Sequence, residues 1–575
     1  MESKILELAE KWSNAPFDDE TRDEIKKLID SKNEKELEDR FYRSLEFGTG
    51  GLRGIIGAGT NRMNIHTVGA ATQGLANYII SQGKASMGVV VSYDSRIKSD
   101  IFSKDTASIL AANGIKVYIF DDIMPTPLCS FAIRELKAVS GIMITASHNP
   151  PKYNGYKVYW NDGCQITPPH DTAIIKEAEK VDEITKVKRG NFDDFVKSGM
   201  IVLIGKDIQN KYIENLSKVV MNDDIDKNIK IVYTPLHGTG YKILPEVMKH
   251  FGFGNIILEP KQSIPDGNFP TVKYPNPEEK EALELAVKLA ENENGDIILA
   301  TDPDADRMGV GFKDKNGKYV LINGNQIGTM IEYYLLTRLK EKNALPKNGA
   351  VIKTIVTTEL QSDIAKDFGC AIFDVLTGFK WIGTLMRKFD ETGEYKFIFG
   401  GEESYGYLPV EFVRDKDAIG ACYFFCEMAG WLKSKGRTLA DFLEEIYAKY
   451  GYYLEDLVSM TFEGKEGMEK IQKIMAFFRN NPPKDFAGCD VERVDDIKNL
   501  SRKYIKTSKE EKISELPSSD VIQYFLSDGT KITMRPSGTE PKIKFYFSAK
   551  DKTAELSKQK IESYKKALVS IVEKI

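Results

Sequence analysis

Along this chain, short apolar runs alternate with longer stretches in which apolar residues recur every three or four positions. That alternation marks strands interleaved with helices, the signature of α/β architecture. Runs at residues 88–93, 115–120, 141–145 and 156–160 form a first series of predicted strands. After a charged stretch near 175–215 the alternation returns, with strands at 229–234, 255–258 and 296–301 bracketing helices at 240–250 and 277–292. A third cycle follows Gly324, with strands at 351–356, 371–375 and 395–399 framed by helices at 325–342 and 417–434. From Gly451 the pattern changes. Segments 521–526, 531–534 and 542–548 alternate apolar and polar residues about the turn Ser527, Asp528, Gly529, which predicts an antiparallel sheet closed by a helix at 552–574. Residues 1–45 read as a charged, amphipathic helical extension. Three α/β units and one α+β unit are therefore expected, with no repeat visible in the sequence itself.

A chain of 575 residues is too long for one core, since single cores stop growing near ~250–300 residues. Its 42% hydrophobic and 29% charged content is that of an ordinary globular protein. A net charge of −5 and a pI of 5.9 argue against nucleic acid or an anionic membrane as the main partner. Six cysteines (129, 164, 370, 422, 426 and 489) lack framework spacing, and with five histidines and no C-x-x-C neither zinc nor a disulfide scaffold is expected. Cys422 and Cys426 read as one helix face. The first residues lead into an amphipathic pattern and not a secretory signal, and no apolar run approaches the ~20 residues that span a membrane. A cytoplasmic protein is expected.

Chemistry is concentrated where predicted strands end. The first series places Thr145, Ala146, Ser147, His148, Asn149 and Pro150 at the end of an apolar run. Open α/β sheets bind ligands at such carboxyl ends, so Ser147 is a candidate nucleophile or phosphoryl carrier. Asp302, Pro303, Asp304, Ala305, Asp306 and Arg307 follow the strand at 296–301. Three carboxylates at i, i+2 and i+4 can converge on a hard cation such as Mg²⁺, although acidic loops are also ordinary solvated turns. An EF-hand is excluded, because its sixth and twelfth positions would be Arg307 and Lys313.

Two further loops suit a sugar phosphate. Arg535, Pro536, Ser537, Gly538, Thr539, Glu540, Pro541 and Lys542 offer a guanidinium, two hydroxyls and a glycine-permitted turn, a cradle for a phosphate dianion or else a polar hairpin turn. Without Gly-x-x-x-x-Gly-Lys spacing, a monophosphate fits better than ATP. In Gly400, Gly401, Glu402, Glu403, Ser404, Tyr405, Gly406 and Tyr407, a carboxylate and a hydroxyl two apart suit vicinal sugar hydroxyls, although acidic glycine-rich turns are also ordinary. Thr377, Gly378, Phe379 and Lys380 end another strand, and Arg414, Asp415, Lys416 and Asp417 supply a further cation. The glycine-rich run 47–54 lacks a preceding apolar strand and the G-x-G-x-x-G pattern. It reads either as a plain loop or as a support that lets Arg53 reach a phosphate.

Thr-Ala-Ser-His-Asn-Pro, Asp-Pro-Asp-Ala-Asp-Arg, Gly-Glu-Glu-Ser-Tyr-Gly and Arg-Pro-Ser-Gly-Thr-Glu-Pro-Lys occur in this order at domain-sized intervals. Together they closely resemble the α-D-phosphohexomutase family, over nearly the whole chain. The resemblance implies four domains around a central cleft, three α/β mixed-sheet domains and a C-terminal α+β domain with an antiparallel sheet. The divisions expected are 1–45 for the helical extension, 46–205 for the phosphoserine domain, 206–322 for the metal-binding domain, 323–450 for the sugar-binding domain and 451–575 for the phosphate-binding domain. It also implies roles. Ser147 would be the phosphoserine, and Asp302, Asp304 and Asp306 would bind Mg²⁺ together with the Ser147 phosphoryl. Lys157 would be the acid/base and His148 would orient the serine. Arg53, Arg307, Thr377, Gly378, Lys380, Glu402, Ser404 and Lys416 would bind substrate, and Arg535, Ser537, Gly538 and Thr539 its distal phosphate.

Gly-Glu-Glu-Ser-Tyr-Gly and Thr-Gly-Phe-Lys resemble the phosphoglucomutase branch more than the histidine-bearing loops of phosphomannomutases. Interconversion of glucose 1-phosphate and glucose 6-phosphate through glucose 1,6-bisphosphate is therefore favoured, with phosphopentomutase or phosphomannomutase activity as alternatives. A closing last domain that excludes water is expected. Other classes fit less well. A serine hydrolase would carry Gly-x-Ser-x-Gly, a metal-dependent phosphatase needs no second phosphate cradle, and an inactive sugar-phosphate sensor would have lost Ser147 or the aspartates. Oligomeric state is not legible in the sequence.

Overall fold

The computed structural model describes residues 3–45, 51–181, 183–221, 224–462, 464–537 and 542–575. Two compact units are present. The first comprises residues 1–324, 382–400 and 404–438, and the second comprises 325–381, 401–403 and 439–575.

In the first unit a six-stranded sheet contains β1 (Gly51–Ile55), β2 (Val89–Tyr93), β3 (Val117–Phe120), β4 (Ser140–Ile144), β5 (Tyr153–Trp160) and β6 (Ile201–Ile204). Their order across the sheet is β1-β5-β4-β2-β3-β6. β2 pairs parallel with both β3 and β4, whereas β5 runs antiparallel to β4 and to β1. Of the parallel strands, β2 and β4 are buried along nearly their whole length, which is why they read as continuous apolar runs in the sequence. Helices Ser99–Ala112 and Thr126–Glu135 pack on β2, and Val89, Val91, Phe102, Leu110 and Ile142 meet in the core.

A second sheet contains β7 (Ile231–Thr234), β8 (Ile256–Leu258), β9 (Ile297–Thr301), β10 (Met308–Lys313) and β11 (Tyr319–Ile322), in the order β11-β10-β9-β7-β8. Its plan repeats that of the first. β9 and β8 flank β7 in parallel, and β10 turns back antiparallel onto β9. Residues 3–45 form three short helices, Ser3–Trp12, Asp19–Asp30 and Glu34–Phe41, around Trp12, Phe17, Ile25 and Phe41.

Further strands are β12 (Gly349–Thr354), β13 (Ala371–Val375), β14 (Lys396–Gly401) and β15 (Tyr407–Leu408). β12 and β13 pair in parallel within the second unit. That unit also holds the antiparallel sheet: β16 (Tyr452–Thr461), β17 (Asp485–Phe486), β18 (Cys489–Asp496), β19 (Ser501–Tyr504), β20 (Glu510–Lys512), β21 (Ile522–Leu526), β22 (Lys531–Pro536) and β23 (Lys542–Asp551). Helix Ala554–Val572 lies against β16 and β23. Ile355, Val356 and Leu376 share a core with Ile497, Ile513 and Val521, joining β12 and β13 to the antiparallel sheet.

The expected architecture holds: mixed sheets in three α/β segments and an antiparallel sheet in the last. Several elements were not legible in the sequence. β6 lies inside the charged stretch, β10 and β11 form a glycine-containing hairpin, and β16 to β20 are polar enough on one face to pass for loop. Residues 51–54, the end of the run read as a loop, belong to β1. No helix among the described residues is long and apolar enough to cross a membrane.

Candidate functional site

Ser147 lies in the turn from β4 to β5, buried, with a left-handed φ of 51°. Its amide donates to Thr145 Oγ1 at 2.8 Å, and its hydroxyl donates to Asp302 Oδ2 at 2.6 Å. His148 Nδ1 lies 3.2 Å from the same hydroxyl. Burial, then the cations of Arg307 and Arg53, push the His148 imidazole well below its ordinary range, against Asp306. Arg53, exposed on β1, donates to Asn149 Oδ1 at 3.4 Å.

Asp302, Asp304 and Asp306 lie in the turn from β9 to β10 and are fully buried. Each offers an oxygen within 4.8 Å of the others. Asp302 Oδ1 accepts the amides of Asp306 and Arg307, both at 3.0 Å, so this carboxylate folds its own loop. Thr126, at the start of its helix, donates its amide to Asp304 O and its hydroxyl to Asp304 Oδ2, both at 2.9 Å. Asp304 Oδ1 and Asp306 Oδ1 are buried with no hydrogen-bond partner among the described residues. Idle carboxylate oxygens are costly to bury, and an all-oxygen set of this kind fits a hard divalent cation.

Cations surround the triad. Lys157 Nζ is 2.8 Å from Asp304 Oδ2 and 3.2 Å from Asp306 Oδ2, and Lys416 Nζ is 3.1 Å from Asp306 Oδ2. Lys157 is not a solvated strand-edge lysine. It is buried on β5, opposite Met143 of β4 and Gly51 of β1. Burial works against its charge, but Asp304 and Asp306 outweigh this and hold the ammonium above its ordinary range. Burial also opposes the charge of Asp306, yet Lys416, Lys157 and Arg307 hold that carboxyl far below the usual range. Asp302 moves the other way, pushed well above it by burial and by Asp304 and Asp306. Arg307 pairs with Glu278 at 3.0 Å. Ser404 belongs to the same unit, and the following Tyr405 accepts the amide of Met308 at 3.0 Å, so its loop abuts the end of the aspartate loop.

In the second unit, Glu402 Oε1 accepts the Gly378 amide at 2.9 Å, joining the two expected sugar loops. Thr377 is half-buried beside it, and Lys380 lies over the Trp381 ring at 5.2 Å. Arg535 is the penultimate residue of β22, opposite Lys544, and the Ser537 amide donates to Lys542 O at 2.7 Å. Gly538 and Thr539 lie outside the described residues.

Four successive segments match the domains of one family, phosphoglucomutase/phosphomannomutase: alpha/beta/alpha domain I at residues 44–185, domain II at 210–317, domain III at 323–450 and the C-terminal domain at 460–562. The chain belongs to the phosphoglucomutase/phosphomannomutase family. Within it, a phosphoglucomutase of Staphylococcus haemolyticus is 39% identical over 543 residues, covering 94% of this chain and 96% of its own. A phosphoglucomutase of Staphylococcus aureus strain MSSA476 is 37% identical, with the same coverage. Solved structures share the family fold. Parafusin, a phosphoglucomutase of Paramecium in an open form, has a TM-score of 0.67 at 18% identity, covering 92% of this chain and 94% of its own. A family protein from Burkholderia thailandensis has a TM-score of 0.64 at 19% identity, covering 91% and 97%.

For this family member, sequence reasoning missed supports of the site, Thr126 and Asp415 among them. Thr126 begins a helix just past β3, and the strand-end rule that found Ser147 points there too. Asp415 accepts Tyr159 OH and Gln165 Nε2, both at 2.8 Å, and lies 3.4 Å from Lys416 Nζ. No local pattern marks those two donors, which are over 200 residues away.

Proposed function

We propose that this chain is a phosphoglucomutase, an Mg²⁺-dependent phosphotransferase that interconverts α-D-glucose 1-phosphate and glucose 6-phosphate through a Ser147 phosphoserine and glucose 1,6-bisphosphate. The observation that carries the reading is the 2.6 Å contact of Ser147 Oγ with an aspartate triad that keeps two idle buried oxygens. The names of the relatives at 37% and 39% identity support glucose as the sugar. The expected division into a helical extension and four domains belongs to the same reading.

Asp302, Asp304 and Asp306, with an oxygen of the Ser147 phosphoryl, would hold Mg²⁺, which supplies charge neutralisation for the transferring group. The rest falls to the chain. As the phosphoryl passes to the free sugar hydroxyl, the O–P bond to Ser147 breaks and one to the sugar forms. Lys157, kept protonated beside Asp304 and Asp306, gives its proton to Ser147 Oγ and recovers one from the sugar hydroxyl. His148, with Nδ1 3.2 Å from Ser147 Oγ, orients the serine. Arg53, Arg307 and Lys416 offset the anionic cargo, and positioning and charge account for most of such a transfer. Glu402 and Ser404, with Thr377, Gly378 and Lys380, bind the sugar. Arg535, Ser537, Gly538 and Thr539 bind the distal phosphate in either orientation of the bisphosphate. A cytoplasmic setting accords with the composition.

The test offers glucose, mannose, ribose and glucosamine 1-phosphates separately, each with a trace of the matching bisphosphate and Mg²⁺. Fastest isomerisation of the glucose ester is expected. Equal rates on all four would remove the glucose assignment, and no turnover of any would remove the mutase reading.

A further inference from the structure

Arg96 lies just beyond the end of β2 and is almost wholly buried. All of its side-chain donors face one loop or the carboxylate that anchors it. Nη2 donates to the carbonyls of Ser147 and Asn149, and Nη1 donates to those of Pro150 and Tyr153, each at 3.0 Å. Nε lies 3.3 Å from Asp94 Oδ2, and the guanidinium carbon sits 4.9 Å from the centroid of the Phe269 ring. Asp94 is itself fixed, with Oδ1 accepting the Arg96 amide at 3.0 Å and Ser99 Oγ at 2.8 Å. Its own amide donates to Ile144 O at the end of β4.

Four carbonyls gathered from residues 147–153 make a strongly negative pole, and Ser147 holds a left-handed φ that non-glycine residues rarely adopt. A planar guanidinium with five donors in a fixed fork can satisfy that pole, whereas an ammonium has three donors and no plane. We propose that Arg96, anchored by Asp94, is a positioning residue that shapes the Ser147 loop for phosphoryl transfer, a role that rests on Ser147 being the phosphoryl carrier. It touches no reacting atom. By gripping the Ser147 carbonyl it sets the direction in which Oγ leaves the backbone toward Asp302.

The experiment measures kcat and KM for glucose 1-phosphate, phosphoserine formation from glucose 1,6-bisphosphate, and the unfolding midpoint, in the unaltered chain, Arg96→Lys and Arg96→Ala. Misplacement of a reacting group by about 1 Å can cost ~100-fold, so kcat of Arg96→Lys is expected to fall roughly 10- to 100-fold with KM changed less than about threefold. Phosphoserine formation should slow in parallel. Arg96→Ala should lose more and regain at least about tenfold with added guanidinium but not with methylammonium. If Arg96→Ala does not fold, Arg96→Lys decides the matter. A kcat within about twofold of the unaltered chain in Arg96→Lys, or a folded Arg96→Ala that guanidinium leaves unrelieved, overturns the role of Arg96 alone. An unaltered chain that neither turns over nor forms phosphoserine removes the mutase reading, and this role with it.

Discussion

The loop that carries Ser147 leaves β4, the parallel strand that borders β5, and returns as β5. The loop that carries Asp302, Asp304 and Asp306 leaves β9, the last parallel strand of the next sheet, and returns as β10. Both contain one non-glycine residue in the left-handed region, Ser147 at φ 51° and Ala305 at φ 49°. They are held in different ways. The serine loop is gripped through its carbonyls by a side chain from another strand end, Arg96, and its hydroxyl is left to face the triad. The aspartate loop closes on itself, because Asp302 Oδ1 takes two of its amides, and it is braced from outside by Thr126, by Thr239 on Pro303 O at 2.8 Å and by Ala418 on Ala305 O at 3.3 Å. A loop that must present one atom in one direction is clamped from behind. A loop that must present several oxygens to one point spends one carboxylate oxygen on its own fold.

The two loops differ most in the atom each presents. Ser147→Ala should lower turnover by at least about 10⁴-fold, since it removes the hydroxyl proposed to carry the phosphoryl. Steady-state isomerisation with bisphosphate supplied measures this, and a loss below tenfold would take Ser147 out of the chemistry. Asp304→Asn should cost less, about 10²- to 10³-fold, because two ligands and the serine remain. In the unaltered chain Mg²⁺ should raise the unfolding midpoint and EDTA should abolish both that rise and turnover, by linkage of metal to the folded state. In Asp304→Asn the midpoint should respond to Mg²⁺ only at higher concentration, and an undiminished response would exclude Asp304 as a ligand.

A smaller effect tests the outside brace. Asp417 caps the helix Ala418–Ser434, whose first amide reaches Ala305 O. Burial, opposed by hydrogen bonds from Gly420 and Tyr212, raises its carboxyl to about 6, from 3.8. The folded chain thus binds this proton more tightly than the unfolded chain. The stability it contributes is fully present below pH ~4 and is lost as pH rises through ~6, about 3 kcal/mol in all. Asp417→Asn keeps the cap acceptor and removes the titration. Its unfolding midpoint should therefore gain on that of the unaltered chain between pH 4 and 7 and hold level above. A gap independent of pH would mean that Asp417 titrates as an ordinary carboxyl.

What was legible in the sequence divides along the same line. Ser147 and the aspartates stand at the ends of continuous apolar runs, and a buried parallel strand leaves that trace whatever surrounds it. The loop at Glu402 was legible for the same reason. Arg96 was not, although Asp94 and Arg96 also follow such a run, because a clamp is defined by the carbonyls it holds and backbone carbonyls leave no mark in the sequence. Lys157 came through family resemblance alone. Its burial depends on β1, and the short half-polar run that forms β1 looks like loop until β5 is beside it.

The smallest effect concerns the left-handed residues themselves. An L-residue in this region costs roughly 1–2 kcal/mol, which glycine avoids. Glycine in turn raises the entropy of the unfolded chain by a comparable ~0.4–1 kcal/mol. Ala305 is fully buried with only a methyl to lose, so Ala305→Gly should shift stability by no more than about 0.5 kcal/mol in either direction. Mg²⁺-dependent turnover should stay near that of the unaltered chain, because Asp302 and the outside braces still hold the loop. Denaturant unfolding and steady-state rates, measured together, separate the cases. A loss of turnover at unchanged stability would mean that the Ala305 methyl restricts the aspartates to their converging arrangement, and that the aspartate loop, like the serine loop, depends on a side chain for its aim and not only on its own backbone.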